Sequence, residues 1–302
     1  MKTSFGSTLS PLNAQSGIQT KSSLPFFFLL LLIMGSSCKE EDTAAVITPP
    51  VTGVDMLLIG NSFFKPYANK LDDQATDAGL TDHHGVVITR GGENGRAINF
   101  WNDSSSAEHL QIKGVLDQGG LEYFGMTAGS LAEEPTSGFR EWIAYALQNN
   151  PDIHIFLSVP PIDFPAQWEQ RALDNGFQNI EELYAYLLND LVHQSVVDSL
   201  RAEFPSTRIF TIPTGSATLK LVQMHTDGLL LDSIDLTGPA ASSLFTDTKG
   251  HQGDIITETG SLMWLQSLYG IDLSEYSFST GFQTDLPAIA EELVNAHDPM
   301  YK

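Results

Sequence analysis

The chain has 302 residues and a single cysteine, Cys38. One thiol excludes an internal disulfide and any zinc site built from several thiolates. Basic residues are scarce too: 15 Lys and Arg stand against 37 Asp and Glu, a formal net charge of −22. No basic stripe is available to neutralise phosphates, so no nucleic-acid partner is expected. No HExxH or HxxxH pair occurs, and neither a metal nor a cofactor is expected. Internal repeats are absent, and no block of like charge is long enough to act as a tail. With 42% hydrophobic and 17% charged residues, the chain can bury a sizeable core and does not have a disordered composition.

Long apolar runs are limited to residues 24–34 (LPFFFLLLLIM), short of the roughly 20 residues that a spanning helix needs. Lys2 and Lys21 precede the run, and GSSC follows at 35–38. A positive n-region, an apolar h-region and small residues before a cut describe a secretory signal. Because it ends on Cys38, the segment resembles a bacterial lipoprotein signal, in which the cysteine is lipidated and becomes the new N-terminus. The following KEED, 39–42, is similar to the export tag of Bacteroidetes-like surface lipoproteins. The expected organisation is a lipoprotein signal at 1–37, a flexible tether at 38–53 and one folded domain at 54–302. The expected location is the outer membrane, surface-exposed, with membrane contact only through a lipid on Cys38.

Within 54–302, short β-rich runs alternate with helical patterns. Runs 54–59, 85–89, 121–126, 152–159 and 207–212 read as strands, most of them stopped by glycine or proline. Helical spacing covers 66–78, 107–116, 138–148, 180–204, 215–225 and 254–269. Strands of this kind pair in parallel with both faces covered, and right-handed crossovers give a doubly wound, five-stranded, three-layer α/β/α sandwich. Ligands of such sheets sit at the carboxyl ends of the strands. Ser62, Gly91, Gly92, Thr127, Pro160, Pro161 and Pro213 all fall there.

The stretch 56–65, MLLIGNSFFK, places Ser62 where the first strand gives way to a helix. Two readings are open. Serine is a favoured helix N-cap; it is also a nucleophile when a base takes its proton, a third group orients the base and donors hold the oxyanion.

IGNSFF, 59–64, resembles the first block of the SGNH (GDSL-like) hydrolases, whose serine is the nucleophile and whose fold is a flavodoxin-like α/β/α sandwich. GGENG, 91–95, stands where that family supplies an oxyanion-hole glycine; Gly92 is the candidate, with Gly91 and Gly95 as alternatives. LFTDTKGHQGDIITETG, 244–260, is similar to the late Asp–His block. The resemblance makes His251 the base and Asp247 its orienter, four residues apart rather than the family's three, so Lys249 or Gly250 is an extra residue. The third block departs from the family: GMTAGS, 125–130, has no Asn, and Thr127 is the candidate side-chain donor in its place. The implied activity is ester hydrolysis, with an acylated small molecule or glycan as substrate and carbohydrate deacetylation as the sharpest case. The alternative is a non-catalytic glycan- or protein-binding lipoprotein on the same scaffold; an acyltransferase with the same Ser–His chemistry is a third reading.

Other residues are weighed against this set. His83 and His84 are expected on a solvent-facing loop at the far end of the sheet, and His154 within a strand. His225 and Asp227 close a helix, where His suits the dipole. The tryptophans are expected mostly in the core, with Trp101 or Trp168 available to wall a sugar-sized pocket. Loops 160–178 and 226–246 are expected to shape specificity.

Overall fold

Strand β1 (Asp55–Gly60) is apolar at five consecutive positions, which suits a strand covered on both faces. The computed structural model describes residues 52–129 and 134–302. In it β1 lies between β2 (His84–Thr89) and β3 (Tyr123–Thr127), and β4 (His154–Ser158) and β5 (Ile209–Ile212) extend the sheet in the order β2-β1-β3-β4-β5. All four pairings are parallel, with Leu58 level with Val87 on one side and Gly125 on the other. The fold is the expected doubly wound three-layer α/β/α sandwich.

The connections hold α1 (Lys65–Asp77), α2 (Ala97–Asn102), α3 (Ala107–Gln118), α4 (Phe139–Ala146), α5 (Trp168–Asp174), α6 (Ile180–Tyr186), α7 (Ser199–Glu203), α8 (Gly215–Thr226), α9 (Asp254–Tyr269) and α10 (Leu286–Ala296). A separate parallel pair, β6 (Asp235–Thr237) and β7 (Ser243–Phe245), lies in the region expected to be loop. The period of two divides β1 between two cores. Met56 and Leu58 join α1, α8, α9 and α10 around Trp264, whereas Leu57 and Ile59 join α2, α3, α4 and the 180–203 region around Trp142. Both indoles are fully buried, and truncating side chains of this size in a core costs about 3–5 kcal/mol.

Local chemistry sets the helix ends. Ser106 Oγ accepts from His109 N–H at 3.2 Å to start α3, and Asp285 accepts from Ala288 N–H at 3.1 Å to start α10. Gly270, at φ 66°, closes α9 in the left-handed conformation that glycine adopts without a Cβ penalty.

The pattern reading needs three corrections here. The expected helix at 180–204 is one helical run, but its middle, Leu187–Asp198, is wound as a π-helix between α6 and α7. His83 does not face solvent: its side chain is 3% exposed, held between the Tyr269 hydroxyl at 2.5 Å and the Asp72 carboxylate at 2.8 Å. The region 160–178 carries α5 and a preceding 3₁₀ turn rather than open loop.

The described residues belong to one compact unit, Pro49–Lys302. The signal segment, Cys38 and all but the end of the tether lie outside the described residues. At that end, Gly53 N–H donates to the Asp82 carboxylate at 2.7 Å. Among the described residues, no helix is long and apolar enough to cross a membrane.

Candidate active site

The turn from β1 into α1 decides what Ser62 does locally. Asn61, not Ser62, satisfies the free N–H groups at the helix start. Its carboxamide oxygen accepts from Phe63 N–H at 3.0 Å and Phe64 N–H at 3.3 Å, and its carbonyl accepts from Lys65 N–H at 3.0 Å. Pro66 follows at the first helical turn, where its missing N–H is harmless. The Ser62 hydroxyl is left to face His251, with Oγ 2.8 Å from Nε2. Gly95 keeps this turn in place from the far side: a Cβ there would lie 2.5 Å from the Gly60 carbonyl and 2.6 Å from Asn61 Cα.

His251 comes from the loop ahead of α9. Asp247 Oδ2 lies 2.6 Å from His251 Nδ1, while Oδ1 accepts from the backbone N–H groups of Lys249, Gly250 and His251 at 3.0, 3.0 and 3.2 Å. Gly250, at φ 94°, provides the tight turn that brings residues four apart into contact despite the extra position. With a carboxylate accepting at Nδ1, that nitrogen carries the proton and Nε2 is free to accept from Ser62 Oγ–H. Desolvation pushes the Asp247 carboxyl up. The hydrogen bonds from the His251 side chain and backbone outweigh it and hold the group below its ordinary 3.8.

One neighbour stacks on the ring of His251 and another ties its loop to the serine turn, and residue patterns alone do not reveal either. Phe63 stacks on it with centroids 4.8 Å apart and planes at 23°. Gln252, buried, donates from Nε2 to the Phe63 carbonyl at 2.8 Å, so the base loop is tied to the serine turn across 189 residues of sequence.

A cleft of about 350 Å³ opens beside this set, lined by Asn61, Phe63, Gly92, Thr127, Pro160 and Lys249 among others. It lies over the carboxyl ends of β1, β3 and β4, with the turn after β2 at its rim. Gly92 has φ 55° and lines the cleft, whereas Gly91 is extended and exposed. Among the described residues, neither the Ser62 N–H nor the Gly92 N–H has an acceptor. Thr127 also contributes to the wall; its Oγ1 is buried and has no partner among the described residues. The serine turn thus carries one unclaimed donor, the Ser62 N–H, and two residues of the cleft wall, Gly92 and Thr127, carry one each.

The other residues weighed in the sequence lie elsewhere. Trp101 packs on Trp142 at 4.9 Å, and Trp168 packs edge-on to Phe245 at 6.1 Å with its indole N–H on the Ile162 carbonyl; neither walls the cleft. His154 begins β4, and His225 lies in the last turn of α8. A second cavity of about 420 Å³, lined by Arg208, Thr211, Gln266 and His297, holds none of the candidate catalytic residues. Among the described residues, no group of three or more His, Cys, Asp or Glu could hold a metal ion.

No family model matches the chain, and no curated protein matches it either. Among solved structures, the periplasmic domain of a lipopolysaccharide acetyltransferase from Salmonella ser. Paratyphi A is a distant neighbour. The two align over 55% of this chain and 68% of that one, at 14% identity and a TM-score of 0.34. A similarity this slight bears on neither the chemistry nor the substrate of the present chain.

Proposed function

We propose that this chain is a serine ester hydrolase of the SGNH kind that removes acyl groups from carbohydrates. The observation that carries the reading is the relay from Ser62 Oγ through His251 to Asp247, with contacts of 2.8 and 2.6 Å at the functional edge of the sheet. Ser62 Oγ attacks the ester carbonyl carbon while its proton passes to His251 Nε2. The N–H groups of Ser62 and Gly92 hold the oxyanion, with Thr127 as a third donor. Collapse of the tetrahedral intermediate expels the alcohol, which takes the proton from His251 and leaves an acyl-Ser62 ester. Water then attacks that ester with His251 again as base and releases the carboxylic acid. Asp247 keeps the proton on Nδ1 and stabilises the imidazolium that forms.

The location belongs to the same proposal. A chain lipidated at Cys38 and exposed on the outer membrane meets acylated glycans, which supports a sugar ester over other esters. The competing reading, a non-catalytic binder, is favoured by the missing Asn of the third block. A fluorophosphonate probe separates the two: the hydrolase is labelled at Ser62, as read by peptide mass spectrometry, and the label is absent from His251→Ala. A folded chain that resists the probe sinks the proposal.

Thr127→Val tests the third donor. Its hydroxyl is buried without a partner, so the isosteric change is expected to leave the melting temperature unchanged or raised. Loss of one oxyanion donor is expected to lower kcat on the order of 10²-fold. An unchanged kcat assigns the hole to the two backbone N–H groups alone.

A further inference from the structure

We propose that the substrate carries an anionic group, a carboxylate or a sulfate, beside the scissile ester, and that Lys249 binds it. This rests on the hydrolase reading of the same cleft and narrows its substrate class.

Lys249 stands in the loop that also carries Asp247 and His251, and its backbone is fixed at both ends. Its N–H donates to Asp247 at 3.0 Å, and its carbonyl accepts from Phe164 N–H at 2.8 Å. The side chain turns into the cleft. Its ammonium lies 5.6 Å from the centroid of Phe63 and 4.0 Å from where a Cβ on Gly92 would stand. Phe63 is the ring stacked on His251, and Gly92 is a candidate oxyanion residue, so this cation sits beside the reacting groups.

Among the described residues, the other charges that line the cleft are paired. Arg96 contacts Glu93, and Arg171 contacts Asp163 at 2.7 Å. Lys249 has no carboxylate within ion-pair distance among the described residues, although acids outnumber bases 37 to 15 in the sequence. Lysine is ordinarily a solvated surface residue, but this one is half-buried. An ammonium that has no counter-ion among the described residues and stands at a cleft wall gains a charge-assisted contact when a ligand supplies the missing charge. The position is also one of the two candidates for the residue that lengthens the Asp–His spacing.

The test compares three acetylated methyl glycosides with the full-length protein: a glucoside, a glucuronoside and a sulfated glucoside. A charge-assisted hydrogen bond corresponds to about 10- to 100-fold in affinity. The expected result is a kcat/KM preference of that size for the glucuronoside or the sulfated glucoside, whichever carries the matching anion, expressed in KM. Lys249→Met is expected to remove this preference through KM, and Lys249→Arg to restore most of it. An equal rate on neutral and anionic sugars overturns the proposal. So does a Lys249→Met variant that lowers kcat on all three in the same proportion, which would assign the ammonium to the oxyanion instead. p-Nitrophenyl acetate turnover, parent against Ser62→Ala, reports separately on the hydrolase reading. If that reading fails, calorimetry with Ser62→Ala decides the anion: binding of an anionic glycoside that disappears on adding Lys249→Met supports it, and no binding overturns it.

Discussion

Ser62→Ala is expected to lower kcat for p-nitrophenyl acetate by about 10⁴-fold or more, and His251→Ala by a similar factor. The two groups act as a unit, so the double variant should be no slower than either single one. Stability provides the contrasting readout. If Ser62 capped α1, removing its hydroxyl would cost about 0.5–2 kcal/mol of stability and nothing in turnover. In the structure Asn61 carries the capping oxygen, whereas the Ser62 hydroxyl meets His251. Ser62→Ala should therefore melt close to the parent while losing activity, and Asn61→Ala should lose about 1 kcal/mol, seen as a lower melting temperature. A stable, fully active Ser62→Ala protein would end the nucleophile reading.

Much of the fold can be read in the sequence because a parallel strand covered on both faces leaves an unambiguous trace. The runs 54–59 and 152–159 are rich in apolar residues, with unbroken apolar cores at 56–59 and 155–157, and stop at Gly60 and Pro160; the observed strands fall within a residue or two of them. Residues 254–269 carry a helix over the full expected range, ended by Gly270. Residues 187–198 mislead because 3.6- and wider-period windings place Val192, Val196 and Val197 on a buried face alike. Helix α10 escapes a reading that stops at the last sheet-covering pattern, although Asp285 and Pro287 mark its start. In the site, Ser62, Asp247 and His251 stand out because residue type and order are visible in sequence, and the structure brings them together. Asn61, Gln252 and Lys249 do not stand out. Their roles depend on a loop bent at Gly250 and on contacts such as Gln252 to Phe63, which no local pattern encodes. Burial of His83 is hidden for the same reason, since its partner Tyr269 lies 186 residues away.

Asp247→Asn is expected to be the most damaging change after those at Ser62 and His251, because it keeps the loop and inverts the chemistry. An Asn oxygen can still accept the backbone N–H groups of Lys249, Gly250 and His251 that Oδ1 accepts now. Its NH₂ then faces Nδ1, which becomes the acceptor, and Nε2 carries the proton and cannot take one from Ser62. For a buried carboxylate this inversion lowers kcat about 10⁴-fold. The Asp247 side chain is 46% exposed, so water relieves part of the constraint, and a loss on the order of 10³-fold is expected. The pH dependence follows from the lowered carboxyl. Its folded value lies below the 3.8 that it has when free, so its contribution to stability is complete above 3.8 and fades as pH falls through the lower folded value. Thermal melts of parent and Asp247→Asn should thus differ at neutral and weakly acidic pH and converge only in stronger acid. Convergence already at neutral pH would mean that the carboxylate is not held by His251. A kcat within tenfold of the parent would remove Asp247 from the relay and leave Ser62 and His251 as a dyad.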